Sequence, residues 1–78
     1  MVKTQPYKKL TDEVLTKIGL NIRDMRKTKG WTQENFAEAA GINDKEVSHI
    51  EAGNRNITIE TLIKISIALN VDPAKLIE

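Results

Sequence analysis

Few side chains in this 78-residue chain offer chemistry beyond packing. The one histidine, His49, sits in the run Asp44-Lys45-Glu46-Val47-Ser48-His49-Ile50-Glu51, and there is no cysteine. His49 and Glu51 are two residues apart, so on a helix they face different directions and cannot work as an acid–base pair. A metal centre needs several ligands, whereas here one histidine meets scattered carboxylates. The four glycines are isolated, so no phosphate-cradling loop is present. The residues therefore point to no catalytic, metal or cofactor site and to no small-molecule ligand. What the run does offer is a set of hydrogen-bonding groups. With Val47 and Ile50 facing inward on a helix, Asp44, Lys45, Ser48 and His49 fall on its outward side. Lys45 can donate to guanine O6 or N7, and His49 to the same edge or to a phosphate. Ser48 pairs with several bases, and Asp44 can accept from the cytosine amino group. The acids at 44 and 46 also suit a helix N-terminus, whose dipole favours negative charge, and that second reading stays open for both.

The elements that must hold this run are well punctuated. A cap residue with an apolar residue before it and another four after it forms a hydrophobic staple. The pattern occurs five times: Leu10-Thr11…Leu15, Trp31-Thr32…Phe36, Ile42-Asn43…Val47, Ile57-Thr58…Leu62 and Val71-Asp72…Leu76. Asn43 and Glu46 have the spacing of a capping box, and Pro73 follows its cap in the first helical position. Gly30, Gly41 and Gly53 stand where helices should stop. Gly19 instead falls inside a helical pattern, at a cost of about 1 kcal/mol. The expectation is an all-α fold, a five-helix bundle over 12–28, 33–40, 44–52, 59–69 and 73–77, with no strand and no repeat. Residues 1–9, with Pro6 and three lysines, are expected to form a flexible basic arm, and 10–78 one folded domain.

Net charge is only +1, which on its own argues against a protein drawn strongly to nucleic acid. Resolved along the chain the picture changes. Residues 1–31 hold eight basic and three acidic side chains, net +5, and residues 32–78 hold four basic and eight acidic, net −4. The 40% hydrophobic content is too high for a disordered chain. No segment approaches the roughly 20 apolar residues of a membrane span, and the N-terminus lacks the apolar stretch of a signal peptide. A cytoplasmic domain is expected.

Within Thr32–Gly53, two short helices meet at the tight turn Ala40-Gly41-Ile42. Phe36, Ala40, Ile42, Val47 and Ile50 take the inward positions, Ala37 is small where the helices approach, and Gly41 reverses the chain. That is the pattern of a helix-turn-helix. The stretches IGLNIRDMRKTKGWTQENFAEAAGI and VSHIEAGNRNITIETLIKISIALNVDPAKL resemble the Cro and phage-repressor type of domain, the XRE family, over Ile18 to Ile77. The segment NRNITIETL is similar to the controller proteins of restriction–modification systems. The resemblance implies a sequence-specific regulator that binds double-stranded DNA as a homodimer, with the third helix in the major groove of a near-palindromic operator. It also implies that Gln33 positions a phosphate and that Arg26 pairs with Glu51, tying the first helix to the third. Asn54, Arg55 and Asn56 follow the third helix and offer donors to the DNA backbone, although both asparagines equally suit turn chemistry.

The fourth helix carries two apolar stripes, Ile59, Ile63 and Ile67 beside Leu62, Ile65 and Leu69. At about 100° per residue they span roughly 200°, twice the arc of a typical surface helix. Either both are core, or one of them forms a two-fold dimer contact around Ile63 and Ile67, with Leu76 and Ile77 beyond. A different class of function also fits this fold: a protein-interaction module whose acidic 44–51 surface holds a protein partner instead of DNA.

Overall fold

Short-range cap chemistry starts most of the helices of the computed structural model, which describes residues 4–78. The elements are α1 (Thr4–Thr28), α2 (Gln33–Ala40), α3 (Asp44–Glu51), α4 (Ile59–Leu69) and a short 3-10 helix, Pro73–Leu76. Thr32 opens α2 with a closed capping box: its hydroxyl accepts from the Asn35 N–H (3.0 Å), and Asn35 Oδ1 accepts from the Thr32 N–H (3.2 Å). Asn43 starts α3 by accepting from the Glu46 N–H at 3.0 Å, but Glu46 returns no bond, so the box expected there is only half made. Thr58 caps α4 through the Thr61 N–H at 3.1 Å. Asn70, at φ 59°, ends α4 in the left-handed conformation.

Two expectations are corrected. Among the described residues there are four α-helices, not five: Asp72 and Pro73 start a helix, but only one tight turn follows, closed by the Lys75 N–H on the Asp72 carbonyl at 2.9 Å. The first helix also begins well before residue 12, and residues 4–9 of the expected arm are helical, while residues 1–3 lie outside the described residues. Thr11 is no cap. Its hydroxyl donates back to the Tyr7 carbonyl at 2.7 Å, a bond a threonine makes in mid-helix. Pro6 lies in the first turn, where no intrahelical donor is needed.

The core comprises Ile18 and Ile22 from α1, Phe36, Ala37 and Ala40 from α2, Val47 and Ile50 from α3, and Leu62, Ile65 and Leu69 from α4, with Leu76. Phe36, Ile22, Ile65, Leu76 and Val47 are fully enclosed. Burying a side chain of this size stabilises by about 1.5–3 kcal/mol. Of the two stripes on α4, the one through Leu62, Ile65 and Leu69 is therefore core, while Ile59 and Ile67 are each 73% exposed. Leu76 had been expected in a dimer contact. It is buried instead, because the tight turn folds it back against α1 and α4. Asn21 fastens that turn to α1, its amide donating to the Leu76 carbonyl at 3.0 Å and the Glu78 carbonyl at 3.4 Å.

Gly19 has a structural reason. α1 crosses the end of α3 so closely that a Cβ at this position would strike the Ile50 carbonyl oxygen and sit 2.8 Å from that of Glu51. The first turns of α1 project past the body. The radius of gyration, 12.9 Å, exceeds the roughly 11.5 Å of a fully compact chain of this length.

Candidate nucleic-acid interface

α3 presents its outward side through the geometry of the turn before it. Gly41 takes φ 73°, a left-handed conformation that costs an L side chain energy, and the Ile42 N–H closes the turn on the Ala37 carbonyl at 3.0 Å. The chain thus reverses within three residues, and Val47 and Ile50 pack into the core. Asp44, Lys45, Ser48 and His49 are all exposed on the opposite side. Among the described residues, no side-chain hydrogen bond occupies Asp44, Lys45 or Ser48, so their donors and acceptors are free for a ligand.

His49 has a partner. A guanidinium nitrogen of Arg55 lies 2.8 Å from its Nδ1. Guanidinium groups only donate, so Nδ1 accepts and the neutral ring carries its proton on Nε2. His49 therefore offers a hydrogen-bond donor outward. Arg55 is expected from the sequence to contact the DNA backbone; here it also fixes the tautomer of His49. Asn54 and Asn56 are exposed beside it, and the Asn54 backbone N–H closes the end of α3 on the His49 carbonyl at 3.0 Å.

Behind this face lies a buried polar knot. Arg26 grips Glu51 with two bonds, Nε to Oε2 at 2.7 Å and a terminal nitrogen to Oε1 at 3.0 Å. Its other nitrogen donates to the Trp31 carbonyl at 2.7 Å. Gln33 Nε2 adds a bond to Glu51 Oε1 at 3.0 Å. The ion-pair side chains are 10% and 5% exposed, and no buried side-chain polar atom among the described residues lacks a partner. The hydrogen bonds that Arg26 donates to the Glu51 carboxylate raise its pKa above the ordinary value, against the opposing effect of burial. This knot joins α1, α2 and α3, and it holds Gln33 at the start of α2, where the first backbone N–H groups are unpaired.

The sequence reading passed over Arg23 and Lys27. Both line the same surface recess as Gln33, Ser48 and Glu51, and both are exposed. Their four-residue spacing on α1, flanking Arg26, was the available signal. The recess is thus a basic rim around a neutralised ion pair, adjoining the free face of α3. Trp31 stacks on Phe36 with ring centroids 6.1 Å apart, and Lys29 lies 5.4 Å over its ring.

Comparison with known proteins agrees with this arrangement. A helix-turn-helix family model matches residues 22–76. A transcriptional regulator of this type, y4dJ of Sinorhizobium fredii, is 35% identical over 60 residues, 77% of this chain and 78% of the relative. The control protein C.SmaI of Serratia marcescens is 35% identical over 57 residues, covering 73% and 68%. Among solved structures, the restriction–modification controller protein C.AhdI of Aeromonas hydrophila superposes with a TM-score of 0.77 at 34% identity, covering 80% of this chain and 94% of that one. The chain belongs to the XRE-type helix-turn-helix family of DNA-binding transcriptional regulators.

Proposed function

We propose that the chain regulates transcription by occupying a near-palindromic DNA site as a dimer, with α3 of each copy in the major groove. The observation that carries this reading is the pairing of two surfaces: a row of free polar side chains on α3, and the basic recess of Arg23, Lys27 and Gln33 next to it. Lys45, Ser48, His49 and Asp44 read base edges, while the recess and Asn54, Arg55 and Asn56 hold phosphates. Copies paired through the exposed Ile63 and Ile67 face of α4, with Ile77 at its edge, would place their α3 helices about 34 Å apart, one turn of DNA. Such a regulator works in the cytoplasm and performs no chemistry on its target.

Affinity for a selected duplex, followed by fluorescence anisotropy, is expected to fall by about a thousandfold between roughly 50 and 200 mM salt, as displacement of counterions from some six phosphates requires. Binding that ignores salt, or that fails on every duplex of a random pool, would contradict the proposal.

Lys45→Ala should relax base preference at one position by about 1–3 kcal/mol. Lys27→Ala should weaken all duplexes alike and flatten the salt dependence by about one phosphate. Equal behaviour of the two variants in a duplex selection would refute the division between reader and positioner.

A further inference from the structure

His49 and Arg55 belong to different elements, α3 and the loop that leaves it, yet their side chains meet at 2.8 Å. The loop backbone brings them together. Gly53 turns the chain at φ 75°, where a Cβ would stand 3.1 Å from Thr16 Cα, so the loop is seated against α1. The Asn54 N–H then closes on the His49 carbonyl at 3.0 Å, and Arg55 comes next. Among the described residues Arg55 forms no ion pair with a carboxylate. One of its N–H donors goes to a neutral ring, and its charge and remaining donors stay available.

We infer that Arg55 determines base specificity through His49: it is a positioning residue that keeps the His49 ring a donor-only reader of guanine N7, and it couples that reading to the phosphate it holds. This role rests on, and deepens, the proposed binding of DNA. Which way the ring faces decides what it reads. With Nδ1 held by the guanidinium, the N–H at Nε2 is the one group His49 has left for a base. In the major groove guanine presents two acceptors, N7 and O6, and no donor. Adenine sets its amino group beside N7, cytosine presents an amino group, and thymine sets a methyl group beside O4. A donor with no accompanying acceptor therefore suits guanine best and rejects cytosine. Released from Arg55, the ring can turn and shift its proton, so that a ring nitrogen accepts from the amino group of adenine or cytosine. A phosphate clasped by the remaining guanidinium donors fixes Arg55, and with it the ring. Base choice at this position thus depends on a residue whose other partner is the DNA backbone.

Two measurements test this, the first without DNA. The chain has one histidine, so the imidazole nitrogens of 15N-labelled protein give a single pair of NMR signals. In mildly alkaline buffer, where imidazole is neutral, the parent should carry its proton on Nε2 alone, whereas Arg55→Ala should show both tautomers. The second measurement uses the tightest duplex selected from a random pool, with each guanine in turn replaced by 7-deazaguanine, which lacks the N7 acceptor. One such replacement should weaken the parent by about tenfold, the worth of one hydrogen bond, and should not affect His49→Ala. Arg55→Ala should lose most of that difference although His49 is present, and adding Arg55→Ala to His49→Ala should alter base preference no further. A parent with its proton on Nδ1 overturns the inference whatever the DNA result. So does a duplex in which no guanine N7 is felt through His49. An Arg55→Ala variant that weakens both duplexes alike and keeps the difference between them would make Arg55 a phosphate contact only. Failure of the parent to bind any duplex, with the proton on Nε2 as expected, would remove the DNA reading and this role of Arg55 with it.

Discussion

Glu51→Ala is expected to destabilise the protein by about 3–5 kcal/mol, the cost of leaving one member of a buried ion pair alone. A chain of this length is stable by about 4–12 kcal/mol in total, so a large part of the population would unfold at moderate temperature. The effect is large because Arg26 has nowhere to go: its guanidinium is enclosed, and the Trp31 carbonyl satisfies only one of its nitrogens. Adding Arg26→Met should recover part of the loss, since it removes the unpaired buried charge that Glu51→Ala leaves behind. Urea unfolding of the two single variants and the double variant measures this directly. Simple additivity would mean that the two residues act independently, contrary to the 2.7 Å contact between them.

The second large effect belongs to Gly19→Ala. In an exposed helix this change stabilises by about 1 kcal/mol. Here the sign reverses, because the new methyl group meets the backbone carbonyls of Ile50 and Glu51 rather than a side chain that can rotate away. A net loss of about 2 kcal/mol follows, near the middle of the usual range for overpacking. Thermal melting should show a fall of roughly 10 °C. A melting temperature equal to or above that of the parent would show that α1 and α3 separate freely. The two carbonyls end α3, so the shift that relieves the clash also tilts its outward side. If that side reads DNA as proposed, selectivity among duplexes should then suffer more than the loss of stability alone explains.

Those two positions differ in how far the sequence disclosed them. Gly19 was visible only as an anomaly, a glycine spending helix propensity for no local gain, because its reason lies in a backbone more than thirty residues away. The Arg26–Glu51 pair was implied by family resemblance, but the Gln33 and Trp31 bonds that complete it were not. Caps and stops proved far more legible. Thr32, Asn43, Thr58 and Asp72 accept from amides two or three residues ahead, so their chemistry is written locally. The same locality misled at Thr11, whose hydroxyl can cap a helix or bond backward inside one, and whose flanking leucines fit both. The four outward residues of α3 followed from the inward pair Val47 and Ile50, a matter of periodicity alone. Arg55 beside His49 did not, since it depends on how the chain leaves the helix. Leu76 was misplaced because helical periodicity does not describe a single 3-10 turn.

The amide of Asn21 reaches carbonyls 55 and 57 residues further along the chain. Contacts between α2 and α3 close short loops, whereas this one closes a ring of 55 to 57 residues, most of the polypeptide. No leading fragment can finish the core, because Leu76 supplies its last fully buried side chain and arrives with the same turn. The core is therefore closed by a four-residue segment, Pro73–Leu76, that touches none of the surface proposed to meet DNA.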